Sequence, residues 1–284
     1  MALIETKGVT YTYPGGVRPS LQDVSITIEK GEFAILTGPS GCGKTTLCRC
    51  FNGLVPHFYS GKLDGDVFVA GLNVAEHQIY ELARHVGLVF QNPENQLFAL
   101  SVEKDVAFGL ENLGVPRDEI RKRVDWALQI TDTTDLRDRA PHELSGGQQQ
   151  RVAIASVLAM QPDVMVLDEP TSFLDPLGAQ QIFGVIHELN KNLGITVVLV
   201  EHRLDLASKY ADHVIVVDAG KVVLDGTPGE VFNTEDARLI GVGIPKATRL
   251  YQVLEESGVH LGKAPVTSEE ASQLIREVLT RDRG

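Results

Sequence analysis

Phe33-Ala34-Ile35-Leu36-Thr37-Gly38-Pro39-Ser40-Gly41-Cys42-Gly43-Lys44-Thr45-Thr46 is the stretch that decides the fold. An apolar run gives way to a loop with glycine at 38, 41 and 43, and a lysine and two threonines open the helical stretch that follows. Glycines let the backbone curl so that successive N–H groups point inward, and a helix N-terminus adds positive potential, so the loop is shaped to cradle phosphate oxygens. Lys44 can bridge β- and γ-phosphates, and the Thr45 hydroxyl can ligate magnesium.

Outward from this loop, compact apolar runs recur at 32–37, 86–91, 164–168, 196–200 and 214–218. They predict strands covered on both faces in a mostly parallel sheet, and hence an α/β core. Ahead of it, residues 8–13 and 24–29 alternate apolar and polar, as a half-exposed antiparallel sheet does. Between 91 and 144 the strand signal vanishes. Val102, Asp105, Val106, Gly109 and Leu110, then Ile120, Val124, Ala127 and Leu128, fall at helical spacing. A helical subdomain inserted at about 92–160 is expected. Asp225-Gly226-Thr227-Pro228-Gly229 reads as a turn-rich break, dividing a large domain, 1–230, from a helical extension, 231–284. In the extension, 246–257 places Leu250, Val253 and Leu254 on one face. Thr267 opens a capping box that leads into Leu274, Ile275, Val278 and Leu279.

Leu167-Asp168-Glu169 ends one of the apolar runs, which puts two carboxylates at the C-terminal end of a buried strand, where open α/β sheets bind ligands. Asp168 is the expected magnesium holder, directly or through water. Glu169 is placed to polarise an attacking water, since phosphoryl transfer needs a positioned nucleophile and compensated charge.

Composition excludes other classes. With 43% hydrophobic residues in 284, the chain buries a sizeable core, which rules out a disordered or fibrous protein. Its formal charge of -12 opposes binding to a polyanion, so nucleic acid is not an expected partner. No apolar run approaches the roughly 20 residues that cross a bilayer, and Met1-Ala2-Leu3-Ile4-Glu5 lacks the character of a secretory signal. The expected compartment is the cytoplasm. Cys42, Cys48 and Cys50 fit neither a disulfide framework nor a zinc site, and are expected to be reduced thiols.

Leu144-Ser145-Gly146-Gly147-Gln148, followed by Gln149-Gln150-Arg151, resembles the signature of the ABC ATPase family. The resemblance covers about residues 1–230 and implies ATP as ligand, magnesium as cofactor and a second ATPase copy or paralogue as partner. It implies that the helix beginning after the signature presents Ser145 and Gly147 to the γ-phosphate held by the other subunit's loop. By the same resemblance Tyr13 stacks on adenine, Gln91 senses magnesium and the attacking water, and His202 contacts the γ-phosphate. Asp175, in Ser172-Phe173-Leu174-Asp175, belongs to a loop that runs antiparallel to its mate, although Phe173 departs from the small residue often found there.

Gln91-Asn92-Pro93-Glu94-Asn95-Gln96-Leu97-Phe98 and the tail from Ile240 onward resemble, more narrowly, the ATPases of energy-coupling-factor transporters, which include cobalt-transport ATPase subunits. That likeness implies T-type and substrate-binding S-type membrane partners, docking near 92–106, a peripheral place on the cytoplasmic face of the membrane, and a vitamin, cobalt or nickel as cargo. Two other readings belong to the same family: an ATPase of a binding-protein-dependent importer, whose tail is normally β-rich, and a soluble ATPase acting on ribosomes or DNA. A single motif set, a modest helical insert and the acidic charge argue against the last.

Overall fold

The computed structural model describes residues 2–281. Its chain opens with β1 (Ala2–Thr12) paired antiparallel to β2 (Leu21–Glu29), after which β3 (Phe33–Thr37) leads through the glycine loop into α1 (Lys44–Phe51) and α2 (Leu54–His57). β4 (Lys62–Val69) and β5 (Leu72–Asn73) return to β1, completing a four-stranded antiparallel sheet in the order β2-β1-β4-β5. α3 (Ile79–Leu82) and β6 (Val86–Val89) follow, then α4 (Val102–Asn112), α5 (Arg117–Ile130) and α6 (Gly146–Ala159), with α6 packed against both α4 and α5. β7 (Val164–Asp168), α7 (Pro176–Leu193), β8 (Thr196–Val200), α8 (Leu204–Ala207), β9 (His213–Asp218) and β10 (Lys221–Gly226) complete a six-stranded sheet, ordered β10-β9-β3-β8-β7-β6. Only its edge strand β10 is antiparallel.

The central strands are continuous apolar runs because each divides its side chains between two cores. Phe33 and Ile35, Met165 and Leu167, and Val197 and Leu199 face the core shared with α4, α5, α6 and α7. Ala34 and Leu36, Val164 and Val166, and Val198 and Val200 face the second core. There Leu47, Cys48, Cys50 and Phe51 of α1 fill the space between the two sheets. Burying a Val, Leu, Ile or Phe side chain stabilises by about 1.5–3 kcal/mol, so the doubly covered strands anchor everything attached to their ends.

Several expectations need correction. β4, β5 and β10 were absent from the sequence reading. β4 carries Asp64-Gly65-Asp66, which reads as a turn, yet it pairs with β1 through a register shift where Gly65 (φ +84°) backs onto Gly8. Residues 225–229 hold the end of β10 and the capped start of α9 (Pro228–Phe232), whose Glu230 accepts the Thr227 N–H at 3.0 Å. β6 stops at Val89 rather than Gln91, because the Phe90 N–H turns to the Gln96 side-chain oxygen at 3.1 Å.

α10 (Glu235–Ile240), α11 (Lys246–Glu256) and α12 (Ser268–Arg281) form the tail, with the capping box in place: Glu270 N–H donates to Thr267 Oγ1 at 3.1 Å. α11 buries Ala247 and Thr248, whereas Leu250 and Val253 face outward.

At the foot of the parallel sheet, the His213 imidazole lies between two carboxylates, in a short hydrogen bond with Asp225 and 3.3 Å from Glu32. The hydrogen bond to Asp225 raises the imidazole above its ordinary range against the opposing effect of burial, helped by the charges of Asp225 and Glu32. A raised folded-state pKa favours the protonated fold, so this stabilisation is full below the unfolded value near 6.5 and is lost as pH rises through the folded one. His213→Gln is expected to destabilise the chain at pH 6 and to do so progressively less as pH rises. Denaturant midpoints measured across that range check it, and a pH-independent difference refutes it.

Candidate nucleotide site

The loop between β3 and α1 is drawn tightly against its surroundings. At Gly38 (φ +140°) a Cβ would lie 1.9 Å from the Val217 carbonyl oxygen, and at Gly43 (φ +115°) one would lie 2.6 Å from the Ser20 carbonyl. Only glycine fits such approaches. Lys44, 5% exposed, turns its ammonium back onto the loop, donating to the Gly38 and Pro39 carbonyls at 2.9 and 2.8 Å. Cys42 Sγ is 3.8 Å from the same nitrogen. No side chain caps α1 at Gly43, which leaves the leading N–H groups of that helix open to an anion. Burial pushes the Cys42 thiol up and the Cys50 thiol up to about 12; both, with Cys48, are free and buried, in keeping with reduced thiols.

A cleft of about 360 Å³ gathers Ser40, Gly41, Gly43, Lys44, Thr45 and Thr46 together with Gln91, Glu169 and Ser20. Glu169 holds a left-handed backbone, φ +49°, uncommon for a residue with a side chain. Three groups meet its carboxylate: Gln91 Nε2 at 2.8 Å, Ser172 Oγ at 3.0 Å and His202 Nε2 at 3.2 Å. Residues from three separate strand ends thus converge on one side chain. Beside it, Asp168 is buried, and burial pushes its carboxyl up from the ordinary aspartate range. The Thr45 hydrogen bond and the charges of Arg49 and Lys44 pull it back down, while Glu169 raises it. Thr45, Asp168 and Gln91 bring a hydroxyl, a carboxylate and an amide together, a hard-oxygen set that suits magnesium.

Tyr13 does not line the cleft but stands next to it, its hydroxyl 3.2 Å from Thr46 Oγ1 and accepting from Arg49 Nη1 at 3.0 Å. Its ring meets Tyr11 and Tyr59 edge-on, at centroid distances of 4.8 and 6.0 Å. Ser145, Gly146, Gly147 and Gln148 are not brought to this cleft either. Ser145 is the exposed N-cap of α6, in a capping box with Gln148: the Gln148 Oε1 accepts the Ser145 N–H at 2.9 Å, and Ser145 Oγ accepts the Gln148 N–H at 3.4 Å. Asp175 caps α7, accepting the Gly178 N–H at 2.6 Å, and Phe173 beside it is 63% exposed.

Sequence reasoning missed Glu201, Thr171 and Arg49. Glu201 and Thr171 are buried and hydrogen-bonded to one another. Arg49 stacks over the Tyr59 ring at 4.4 Å while holding Tyr13. A glutamate closing the apolar run of β8 was the one visible signal.

Comparison with known proteins places the chain in a family. The ABC transporter family profile matches residues 21–172. A Pyrococcus abyssi protein described as a candidate ABC transporter ATP-binding protein is 48% identical over 260 residues, 91% of this chain and 93% of that one. The energy-coupling factor transporter ATP-binding protein EcfA1 of Caldanaerobacter subterraneus subsp. tengcongensis is 44% identical over 279 residues, covering 96% and 98%. Among solved structures, CbiO1 from Clostridium perfringens, part of the ABC transporter complex CbiONQ, superposes with a TM-score of 0.74 at 38% identity over 88% of this chain and 99% of its own. A dimeric ATP-binding cassette in a post-hydrolysis state with ADP and Pi gives 0.70 at 30% identity over 79% and 98%. With a phosphate loop at the C-terminal end of an interior strand of a mostly parallel sheet and relatives matched along nearly their whole length, this chain belongs to the ABC transporter ATP-binding family and is an ATPase.

Proposed function

We propose that this chain is the ATP-hydrolysing subunit of an energy-coupling-factor importer, and that its active site is completed by a second ATPase copy or paralogue. The observation that carries the site assignment is the meeting of Gln91 and His202 on Glu169 at the mouth of the glycine loop. In this reading Tyr13 stacks on adenine, and the loop from Gly38 to Thr46 holds the phosphates with its N–H groups and Lys44. Thr45, Asp168 and Gln91 would hold magnesium, which when bound supplies charge neutralisation on the β- and γ-phosphates. Glu169 orients the attacking water and takes its proton, Gln91 fixes the carboxylate from one side, and His202 bridges from Glu169 to the γ-phosphate.

Ser145 and Gly147 act on the partner's nucleotide. The N-terminal end of the helix they open is exposed at Ser145 and Gly146, and the 3.4 Å bond from Gln148 N–H to Ser145 Oγ is long enough to give way to a phosphate oxygen. Asp175 lies at the facing loop of the pair. T-type and S-type membrane subunits complete the importer at the cytoplasmic face of the membrane. The docking face lies near 92–106, where Phe98 and Leu100 are 66% and 81% exposed. No helix among the described residues is long and apolar enough to cross the membrane, so passage of the cargo falls to those partners. A water-soluble vitamin or a cobalt or nickel ion is the proposed cargo, on the likeness to EcfA1 and CbiO1.

Glu169→Gln is expected to keep ATP binding while turnover falls by about 10²–10⁴-fold, the usual worth of a positioned acid or base. Calorimetry and phosphate release measure the two, and wild-type turnover refutes the role. In Ser145→Arg, with every signature in the dimer altered, hydrolysis should vanish at an unchanged unfolding midpoint. Retained hydrolysis would rule out action across the interface. Purified from membranes in mild detergent, the chain should bring small integral membrane proteins with it; ribosomal proteins alone would overturn the importer reading.

A further inference from the structure

Glu201 has no part in the scheme above, yet its side chain is 2% exposed at the end of an apolar strand. Removing a carboxylate from water is strongly disfavoured unless its oxygens are satisfied. Here both are. Oε1 accepts the Thr171 hydroxyl in a short hydrogen bond, and Oε2 accepts the His202 backbone N–H at 3.1 Å. The Glu201 carbonyl accepts the Thr37 hydroxyl at 3.1 Å, which ties the same residue to the root of the phosphate loop. Burial pushes the carboxyl up, and the bonds from Thr171 and His202 and the charge of Arg203 pull it back.

Thr171 is two residues beyond Glu169, inside a turn closed by Ser172 N–H to the Glu169 carbonyl at 3.2 Å and Leu174 N–H to the Thr171 carbonyl at 3.1 Å. That turn is fastened to the end of β8 and the segment after it at three levels. Glu169 N–H donates to the Val200 carbonyl at 3.0 Å, Thr171 Oγ1 to Glu201, and Arg203 Nη2 to the Leu174 carbonyl at 3.0 Å. The Glu169–His202 contact sits on top of this ladder, between side chains that are 21% and 43% exposed. Among the three fastenings, the Glu201 carboxylate alone grips both the turn of Glu169 and the backbone of His202.

We infer that Glu201 is a positioning residue for ATP hydrolysis: its buried carboxylate locks the turn carrying Glu169 to the loop carrying His202 and so fixes how the two meet at the reacting phosphate. This rests on the roles proposed above for Glu169 and His202. The site needs the lock because Glu169 sits in a left-handed backbone that relaxes unless its surroundings hold it.

Thr171 provides the decisive test, since its side chain is fully buried. Thr171→Val keeps the volume and deletes the hydroxyl; Thr171→Ser keeps the hydroxyl and leaves a methyl-sized void. A packing role ranks valine above serine, and a positioning role ranks serine above valine. In the full chain with magnesium and ATP, Thr171→Val is expected to lose about 10–100-fold in kcat with KM within about two-fold, the scale of a catalytic group displaced by an ångström. Thr171→Ser should stay within a few-fold of wild type. Glu201→Ala, which removes both bonds, should lose at least as much kcat as Thr171→Val, and adding Thr171→Val to it should cost little more, since the tie is already absent. Wild-type kcat in Thr171→Val, valine outperforming serine, or equal loss in both overturns the inference. Glu169→Gln assayed alongside separates the two readings. Turnover in that variant removes the role of Glu169 itself, whereas an inactive Glu169→Gln beside an active Thr171→Val removes only the positioning by Glu201.

Discussion

Register in the parallel sheet is the constraint from which the site follows. Leu36 of β3 and Asp168 of β7 both pair with Val200 of β8, so three strands run out within a residue of one another. The glycine loop, Glu169 and His202 therefore leave the sheet at the same height and on the same edge. Side-chain period in a strand is two, so a slip of one residue would exchange the two cores and turn Asp168 away from α1. Apolar burial on both faces makes that slip prohibitive. The chemistry at the edge is as well placed as the core beneath it is well packed.

Much of this was legible in the sequence because the doubly buried strands are short, apolar and bounded. β7 and β8 fall at the residues their apolar runs mark, and the loop glycines announce the close approaches that the backbone makes at Val217 and Ser20. The strands that escaped notice are the half-exposed ones. β10 alternates exposed and intermediate residues and buries none fully, and β4 contains residues that elsewhere make turns. Their pairing comes from a partner strand rather than from their own composition.

The site was readable in its parts and not in its joints. Gln91, Glu169 and His202 lie 78 and 33 residues apart along the chain, and no spacing rule connects them until the sheet brings their strand ends together. Glu201 was hidden for a different reason. A glutamate at a strand end is ordinary in a sequence, and only burial marks it as a structural tie. Ser145 and Asp175 are a third case, since within one chain they do no more than cap helices, and the second role assigned to them requires another surface.

The ammonium of Lys44 also sets a thermodynamic condition on binding. It is 5% exposed and rests on the Gly38 and Pro39 carbonyls. Most of the water around this cation was therefore surrendered when the chain folded, so an arriving phosphate does not have to strip it. Preorganisation of this kind shifts free energy from stability to affinity. Anything that binds the folded loop and not the unfolded chain adds to stability, so folding and ATP occupancy are linked quantities in this protein.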